Sequence, residues 1–206
     1  LMDEVIGHMR EKVALPAPED IEVVNRARPS VPPEWYFPYD ETTSDVPPMA
    51  SFGDGFRYHI TGLMHDRAGF PTQRLDEINP WVTRVFRKID AHLGDIVIAD
   101  DEGPEDARTL VVAYGSVARS ARQAIRECSR HKVRLFVPKT LWPFPKEEVL
   151  QAAHEARRVI VPEMNMGQLA LEIERLVGRH KVRRVNRADG ELITPGQIRR
   201  AIEYKE

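Results

Sequence analysis

Residues 110–114 of this chain, LVVAY, are apolar without interruption. A strand with one face in water alternates apolar and polar residues. An unbroken run instead fits a strand covered on both faces, the usual situation in a parallel sheet. Taken with Thr109, the run TLVVAY (109–114) is read as a strand. Gly115 and Ser116 then turn the chain into an amphipathic stretch, with Ala121, Ala124, Ile125 and Cys128 on one face and Arg119, Arg122, Arg126 and Glu127 on the other. The pattern recurs. VRLFV (133–137) is a second strand, and TLWPFP (140–145) leads into a helix from Pro145. VIV (159–161) is a third, and EMNMGQ (163–168) opens a helix with Leu169, Ile173 and Leu176 inward. KVRRV (181–185) is a fourth; after the turn at Asp189 and Gly190, Thr194 and Pro195 cap a last helix carrying Ile198 and Ile202. Strands alternating with helices predict an α/β fold: an open parallel sheet flanked by helices, with right-handed crossovers.

Upstream the pattern changes. Val5, Ile6, Met9 and Val13 recur at helical spacing, with Asp3 and Glu4 in the first turn, which predicts a helix over residues 3–13. Pro16 and Pro18 end it. An extended proline-rich arm follows to about residue 55 and favours polyproline geometry. Trp35, Tyr36, Phe37 and Tyr39 lie inside it, so it is expected to dock, having too little core to be ordered without a partner surface. RYHITG (57–62) reads as a strand. Asn79 and Pro80 predict the start of a helix with Val82, Val85, Phe86 and Ile89 on one face, ending near Gly94. IVIA (96–99) reads as a short strand and DDEGPED (100–106) as an acidic turn between domains. The expected divisions are 1–15, a terminal helix; 16–104, a connecting segment; and 105–206, the α/β domain.

Composition removes whole classes. Lys and Arg total 30 against 32 Asp and Glu, a net charge of −2, so no surplus of basic charge supports general nucleic-acid binding. The basic stretch 178–187 crosses a helix end and a strand, where outward Lys and Arg are ordinary solvated residues. No apolar run approaches the roughly 20 residues of a membrane span. Cys128 is the single cysteine, which excludes an internal disulfide and a thiolate-built cluster and fits a reducing, cytoplasmic setting. The chain opens on Leu1 and Met2 with no signal peptide, and this start is expected to be a cut from a longer polypeptide.

In an open parallel sheet, ligands and partners meet the loops at the carboxyl ends of the strands. Two readings compete for those loops. In one, Ser116 and Asn165 cap helices while Trp142 and Phe144 close the sheet edge. In the other, Ser116, Glu163, Asn165 and Gln168 form a polar cluster that touches a neighbouring domain or a small anion. A dinucleotide site is excluded, because YGSVARSA carries one glycine where close pyrophosphate approach needs three. FGDGF (52–56), followed by Asn79, loosely resembles a Mg²⁺–diphosphate motif, but SDVPPMAS rather than a buried strand precedes it and a turn fits better. His59, His65 and Asp66 match no metal spacing and read as surface or interface residues.

VVAYGSVARSARQAI, VPKTLWPFPKEEVLQAA and VIVPEMNMGQLALEIERLVG, in this order, resemble the C-terminal part of the alpha subunit of 2-oxoacid:ferredoxin oxidoreductases. RYHITGLMHDRAGFPT and DEVIGHMREKV resemble upstream segments of the same family, and EMNMGQ is similar to its 2-oxoglutarate type. The resemblance implies a transketolase C-terminal-like domain over 105–206 and, in residues 1–15, the last helix of a pyrimidine-binding domain. It implies an enzyme that converts a 2-oxoacid to acyl-CoA and reduces ferredoxin, using thiamine diphosphate, Mg²⁺ and a 4Fe–4S cluster. Its partners would be a beta subunit carrying the diphosphate-binding domain and the cluster, together with the rest of the alpha subunit. This stretch would itself bind none of those cofactors, would supply no catalytic residue, and would serve structure and assembly. The rigid apolar Trp142–Pro145 loop would pack at a junction with another domain or subunit. A freestanding small-molecule sensor with the same fold is the competing reading.

Overall fold

A computed structural model describes residues 4–204. It divides into two compact units, one of Leu1–Lys12 with Gly94–Glu206, the other of Val13–Leu93. The helices are α1 (Glu4–His8), α2 (Leu75–Asp90), α3 (Leu93–Ile96), α4 (Ser116–Glu127), α5 (Lys146–Ala152), α6 (Gln168–Val177) and α7 (Pro195–Glu203). The strands are β1 (Ala99–Glu102), β2 (Thr109–Val112), β3 (Val133–Pro138), β4 (Arg158–Glu163) and β5 (Val182–Asn186).

The sheet runs β1-β3-β2-β4-β5, parallel except for the antiparallel pairing of β1 with β3. The unbroken apolar run has the cause expected of it. Val111 and Ala113 enter one core with Ala121 of α4 and Ile198 of α7. Leu110 and Val112 enter a second core on the opposite face with Val149 of α5 and Ile173 of α6. Thr194 closes the N-terminus of α7 in a capping box with Gln197, as its sequence position suggested.

The acidic stretch behaves differently from its reading as a turn. Its first three residues form β1, and IVIA contributes only Ala99 to that strand. Each β1 carboxylate has its own cation. Arg134 donates to both oxygens of Asp101 at 2.6 Å, Arg122 reaches Glu102 at 2.6 Å and Asp100 at 3.2 Å, and Lys139 meets Asp100 at 2.5 Å. These partners are far away in sequence, so a local reading of charge sees only a solvated turn. The hydrogen bond and charge of Lys139, and after them the charge of Arg122, hold the Asp100 carboxyl below its usual range. A carboxylate depressed in this way contributes stability above its unfolded pKa of about 3.9, and the contribution is lost as pH falls through the folded value. Below that pH, β1–β3 amides are expected to lose exchange protection before the β2–β4 amides. Simultaneous loss in both ladders would argue against this network as what holds the edge.

The unit Val13–Leu93 departs further from expectation. RYHITG is not a strand: residues 57–62 have no regular structure, and only a single bridge joins His65 to Pro71. α2 starts at Leu75, four residues before Asn79, and carries Pro80 inside it. Thr72 explains the early start, its hydroxyl donating to Glu77 at 2.5 Å and accepting from the Arg74 N–H at 3.2 Å. The buried residue of α2 is Arg84, whereas Phe86 is 58% exposed. The arm also has a small core of its own, more than its sequence suggested. Tyr36 is 7% exposed, donates to the Pro48 carbonyl, accepts from Ala50 N–H and meets Phe56 and Tyr58 edge-on. Trp35 remains exposed.

At the start of the chain, α1 is shorter than the helix expected over 3–13. It stops at His8, and Met9 and Val13 are exposed, so the apolar stripe continues past the helix without a surface to cover. Asp3 of that expected helix lies outside the described residues. Among the described residues no helix is long and apolar enough to cross a membrane.

Candidate functional site

Helices α4 and α6 leave the sheet on opposite faces, from the adjacent strands β2 and β4. Their loops therefore diverge at the carboxyl edge and leave a crevice between Tyr114–Ser116 and Glu163–Gln168, the place where open α/β sheets carry ligands.

Glycine makes both turns possible. Gly115 has φ of 57° and precedes α4 directly. Gly167 has φ of 108°, and a Cβ there would sit 2.9 Å from Nη1 of Arg184. Between them the β4–α6 loop is held by its own side chains. Glu163 is fully buried, and its two carboxylate oxygens accept the N–H groups of Leu169 at 2.9 Å and Ala170 at 2.8 Å. Asn165 Oδ1 accepts from Gly167 at 2.7 Å and from Gln168 at 3.2 Å. The positive end of α6 is thus satisfied by an internal carboxylate and amide. Asn165 also crosses the crevice, donating from Nδ2 to the Tyr114 hydroxyl at 3.0 Å, while its carbonyl accepts from Asn186 at 2.9 Å. Burial first, then the nearby Glu163 carboxylate, push the Tyr114 hydroxyl above its ordinary pKa, so it stays protonated.

The expected residues separate into groups. Asn165 does not hold the cap position of α6, which Gly167 takes; its side chain accepts the Gly167 and Gln168 N–H groups in the turn that leads into the helix. Ser116 does not cap α4: it is that helix's first residue, Gly115 holds the cap position, and the Ser116 hydroxyl reaches the Met164 sulfur at 4.0 Å. Gln168 opens α6 and is exposed. Phe144 packs against the core shared by α5 and α6, but Trp142 is 69% exposed and closes nothing within this chain. His59, His65 and Asp66 belong to the other compact unit. There, His59 stacks on Phe70, His65 stacks on Tyr39, and Asp66 accepts the N–H groups of Ala68 and Phe70 within a turn. Sequence reasoning missed Tyr114 and Asn186, which complete the Asn165 network. Tyr114 was hidden as the last letter of an apolar run.

A cavity of about 420 Å³ opens beside the crevice, with Tyr114, Gly115, Arg119, Arg122, Lys139 and Leu141 in its wall. Its cations are engaged, Arg119 with Glu11, Arg122 with Glu102 and Asp100, and Lys139 with Asp100. Outward the edge presents Leu141, Trp142 and, at the tip of the β4–α6 loop, Met166, which is 78% exposed, beside the exposed Gln168. Chemically this arrangement suits docking, since Glu163 and Asn165 are spent on the backbone.

The sheet and its helices define an open, mostly parallel α/β domain with its polar loop cluster at the carboxyl ends of the strands. Residues 107–198 match the family model for the pyruvate:ferredoxin oxidoreductase core domain II. The chain is 38% identical over 204 residues to the 2-oxoglutarate synthase subunit KorA of Methanothermobacter thermautotrophicus, covering 95% of this chain and 53% of that protein. KorA of Methanothermobacter marburgensis is 36% identical, with 96% and 53% covered. A 2-oxoglutarate:ferredoxin oxidoreductase structure from Magnetococcus marinus, with 2-oxoglutarate, coenzyme A and succinyl-CoA bound, superposes with a TM-score of 0.79 at 28% identity. That superposition covers 91% of this chain and 33% of that one. The chain belongs to the 2-oxoacid:ferredoxin oxidoreductase family, and it spans about half the length of the curated relatives it matches.

The FGDGF turn does not fit the Mg²⁺–diphosphate group that such a family implies. Gly53 and Gly55 of FGDGF have open space where a Cβ would point, the segment is an exposed turn, and Asp54 lies 4.0 Å from Arg28. Asn79 is inside α2. Mg²⁺ needs oxygen ligands converging on a stiff frame, and this turn offers none. Among the described residues no cluster of three or more His, Cys, Asp or Glu is arranged to hold a metal.

Proposed function

We propose that this chain forms part of the alpha subunit of a 2-oxoglutarate:ferredoxin oxidoreductase, and that its role there is structural support and subunit assembly. The complete enzyme would decarboxylate 2-oxoglutarate oxidatively to succinyl-CoA and reduce ferredoxin. Thiamine diphosphate, Mg²⁺ and a 4Fe–4S cluster would be held by the rest of the alpha subunit and by a beta subunit, in the cytoplasm. The observation that carries this reading is the 38% identity to a KorA subunit across 95% of this chain. The strand-end edge supports the assembly role, because Glu163 and Asn165 serve their own loop while Leu141, Trp142 and Met166 face outward. The 206-residue chain alone should consume no 2-oxoacid in a dye-reduction assay, whereas the whole alpha subunit assembled with its beta subunit should. Turnover by the chain alone would overturn the reading.

Trp142 separates assembly from folding. At 69% exposure, its replacement by Ala should change the stability of the isolated chain by no more than about 0.5 kcal/mol. In the assembled enzyme the same change should weaken subunit association by about 1–3 kcal/mol, as a buried aromatic anchor does. Sedimentation of the assembled enzyme checks this, and unchanged association would remove Trp142 from the interface.

A further inference from the structure

We infer that the unit Val13–Leu93 contains a binding site for a small organic carboxylate, centred on Arg84. This arginine is 5% exposed, yet among the described residues no carboxylate lies within 4.0 Å of it. Its Nη1 donates to the carbonyls of Tyr39 and Asp40, each at 3.0 Å. Its Nε and Nη2 have no hydrogen-bond partner among the described residues. Among the described residues no buried side-chain nitrogen lacks a partner, so these two groups reach the solvent of the flanking cavities, where their planar fork matches a carboxylate.

Two cavities flank this residue. They share a wall of Tyr39, His65, Trp81 and Arg84, in which His65 stacks on Tyr39 at 3.7 Å and meets Trp81 edge-on at 5.2 Å. Their charges differ. The cavity of about 320 Å³ is bordered by Asp40, Glu41, Asp66, Asp76 and Glu77, which repel an anion. The cavity of about 400 Å³ is bordered by Arg26, Arg84 and Lys88 against one acid, Asp45, which is bonded by Arg87 and also feels the charge of Arg84, so the wall keeps a surplus of positive charge. Its remaining wall is apolar and aromatic, including Tyr36, Pro47, Met49 and Trp81. A few polar groups converging in an apolar hollow of this size is the usual form of a small-molecule site. The charge faces Arg84 and Lys88, and a flat or branched hydrocarbon body lies against the aromatic and proline walls. Inorganic phosphate lacks that body and fits less well.

Calorimetry on the 206-residue chain tests this with benzoate, 4-methylpentanoate, benzamide and inorganic phosphate. Benzoate or 4-methylpentanoate should bind, moving the Trp81 indole resonance, and benzamide should bind at least about tenfold more weakly, since it lacks the charge that Arg84 awaits. Arg84→Gln should reduce carboxylate affinity by at least about tenfold. Because that change also removes support for the Tyr39 and Asp40 carbonyls, Lys88→Met provides a second readout at a residue with no ion pair among the described residues, and it should weaken binding severalfold. Equal binding of benzoate and benzamide, tighter binding of phosphate, or no binding of either carboxylate would each overturn the assignment. None of these outcomes bears on whether the chain turns over a 2-oxoacid.

Discussion

Replacing Glu163 by alanine should lower the stability of the sheet-bearing unit by about 2–4 kcal/mol, and the loss should begin at the N-terminus of α6. The carboxylate is fully buried and each oxygen accepts one backbone N–H, from Leu169 and from Ala170. Alanine leaves both donors without a partner in a region that water does not reach. It also removes the negative charge that complements the positive end of the helix. Glu163→Gln should fall between wild type and alanine, because the amide keeps one acceptor oxygen but turns an NH₂ group toward the other donor. Denaturant unfolding gives the total, and amide exchange at Leu169 and Ala170 reports where it starts. A loss under about 1 kcal/mol would mean that water or a shifted backbone replaces the carboxylate, and the loop would then not be fixed by Glu163.

The parallel part of the fold could be read in advance because its signals are local. An apolar run bounded by Gly115, or Thr194 followed by Pro195, carries its cause within a few residues. The proline-rich unit could not be read that way. Its order rests on Tyr36 reaching the Pro48 carbonyl and Arg84 reaching the Tyr39 and Asp40 carbonyls, contacts between segments far apart in sequence. The β1 edge is a similar case: three acids in a row spell a turn until Arg122, Arg134 and Lys139 are brought beside them.

The strand-end site was legible in its residues and less so in their duties. Asn165, two residues before Gly167, suggested a cap; Gly167 takes that position, and the Asn165 side chain instead accepts the N–H groups of Gly167 and Gln168 in the turn before α6. Glu163 suggested a polar group open to a ligand, but its place as the last residue of a buried strand sends the carboxylate inward onto α6. Ser116 instead follows a glycine, and Gly115 takes the cap position while the Ser116 hydroxyl reaches Met164. Spacing identifies candidates; the direction of each side chain depends on the strand's end, which neighbouring strands determine.

Val111→Asp and Val112→Asp should each abolish cooperative folding of the sheet-bearing unit. In a sheet with one wet face, only one of two successive positions would respond, because successive side chains point to opposite faces. Here both are 0% exposed, Val111 against α4 and α7 and Val112 against α5 and α6. Val111 pairs with Leu135 and Ile160 on its two neighbouring strands, so neither position has an open side through which a carboxylate could reach water. An unpaired buried charge costs several kcal/mol, comparable with the 5–15 kcal/mol by which a domain is stable. The milder Val111→Thr and Val112→Thr keep the shape and add one hydroxyl, and each should cost about 1–3 kcal/mol in denaturant unfolding. Near-equal costs at the two positions are the signature of a strand buried on both faces. A pair in which one threonine is tolerated within about 0.5 kcal/mol would mean that one helical layer does not cover β2.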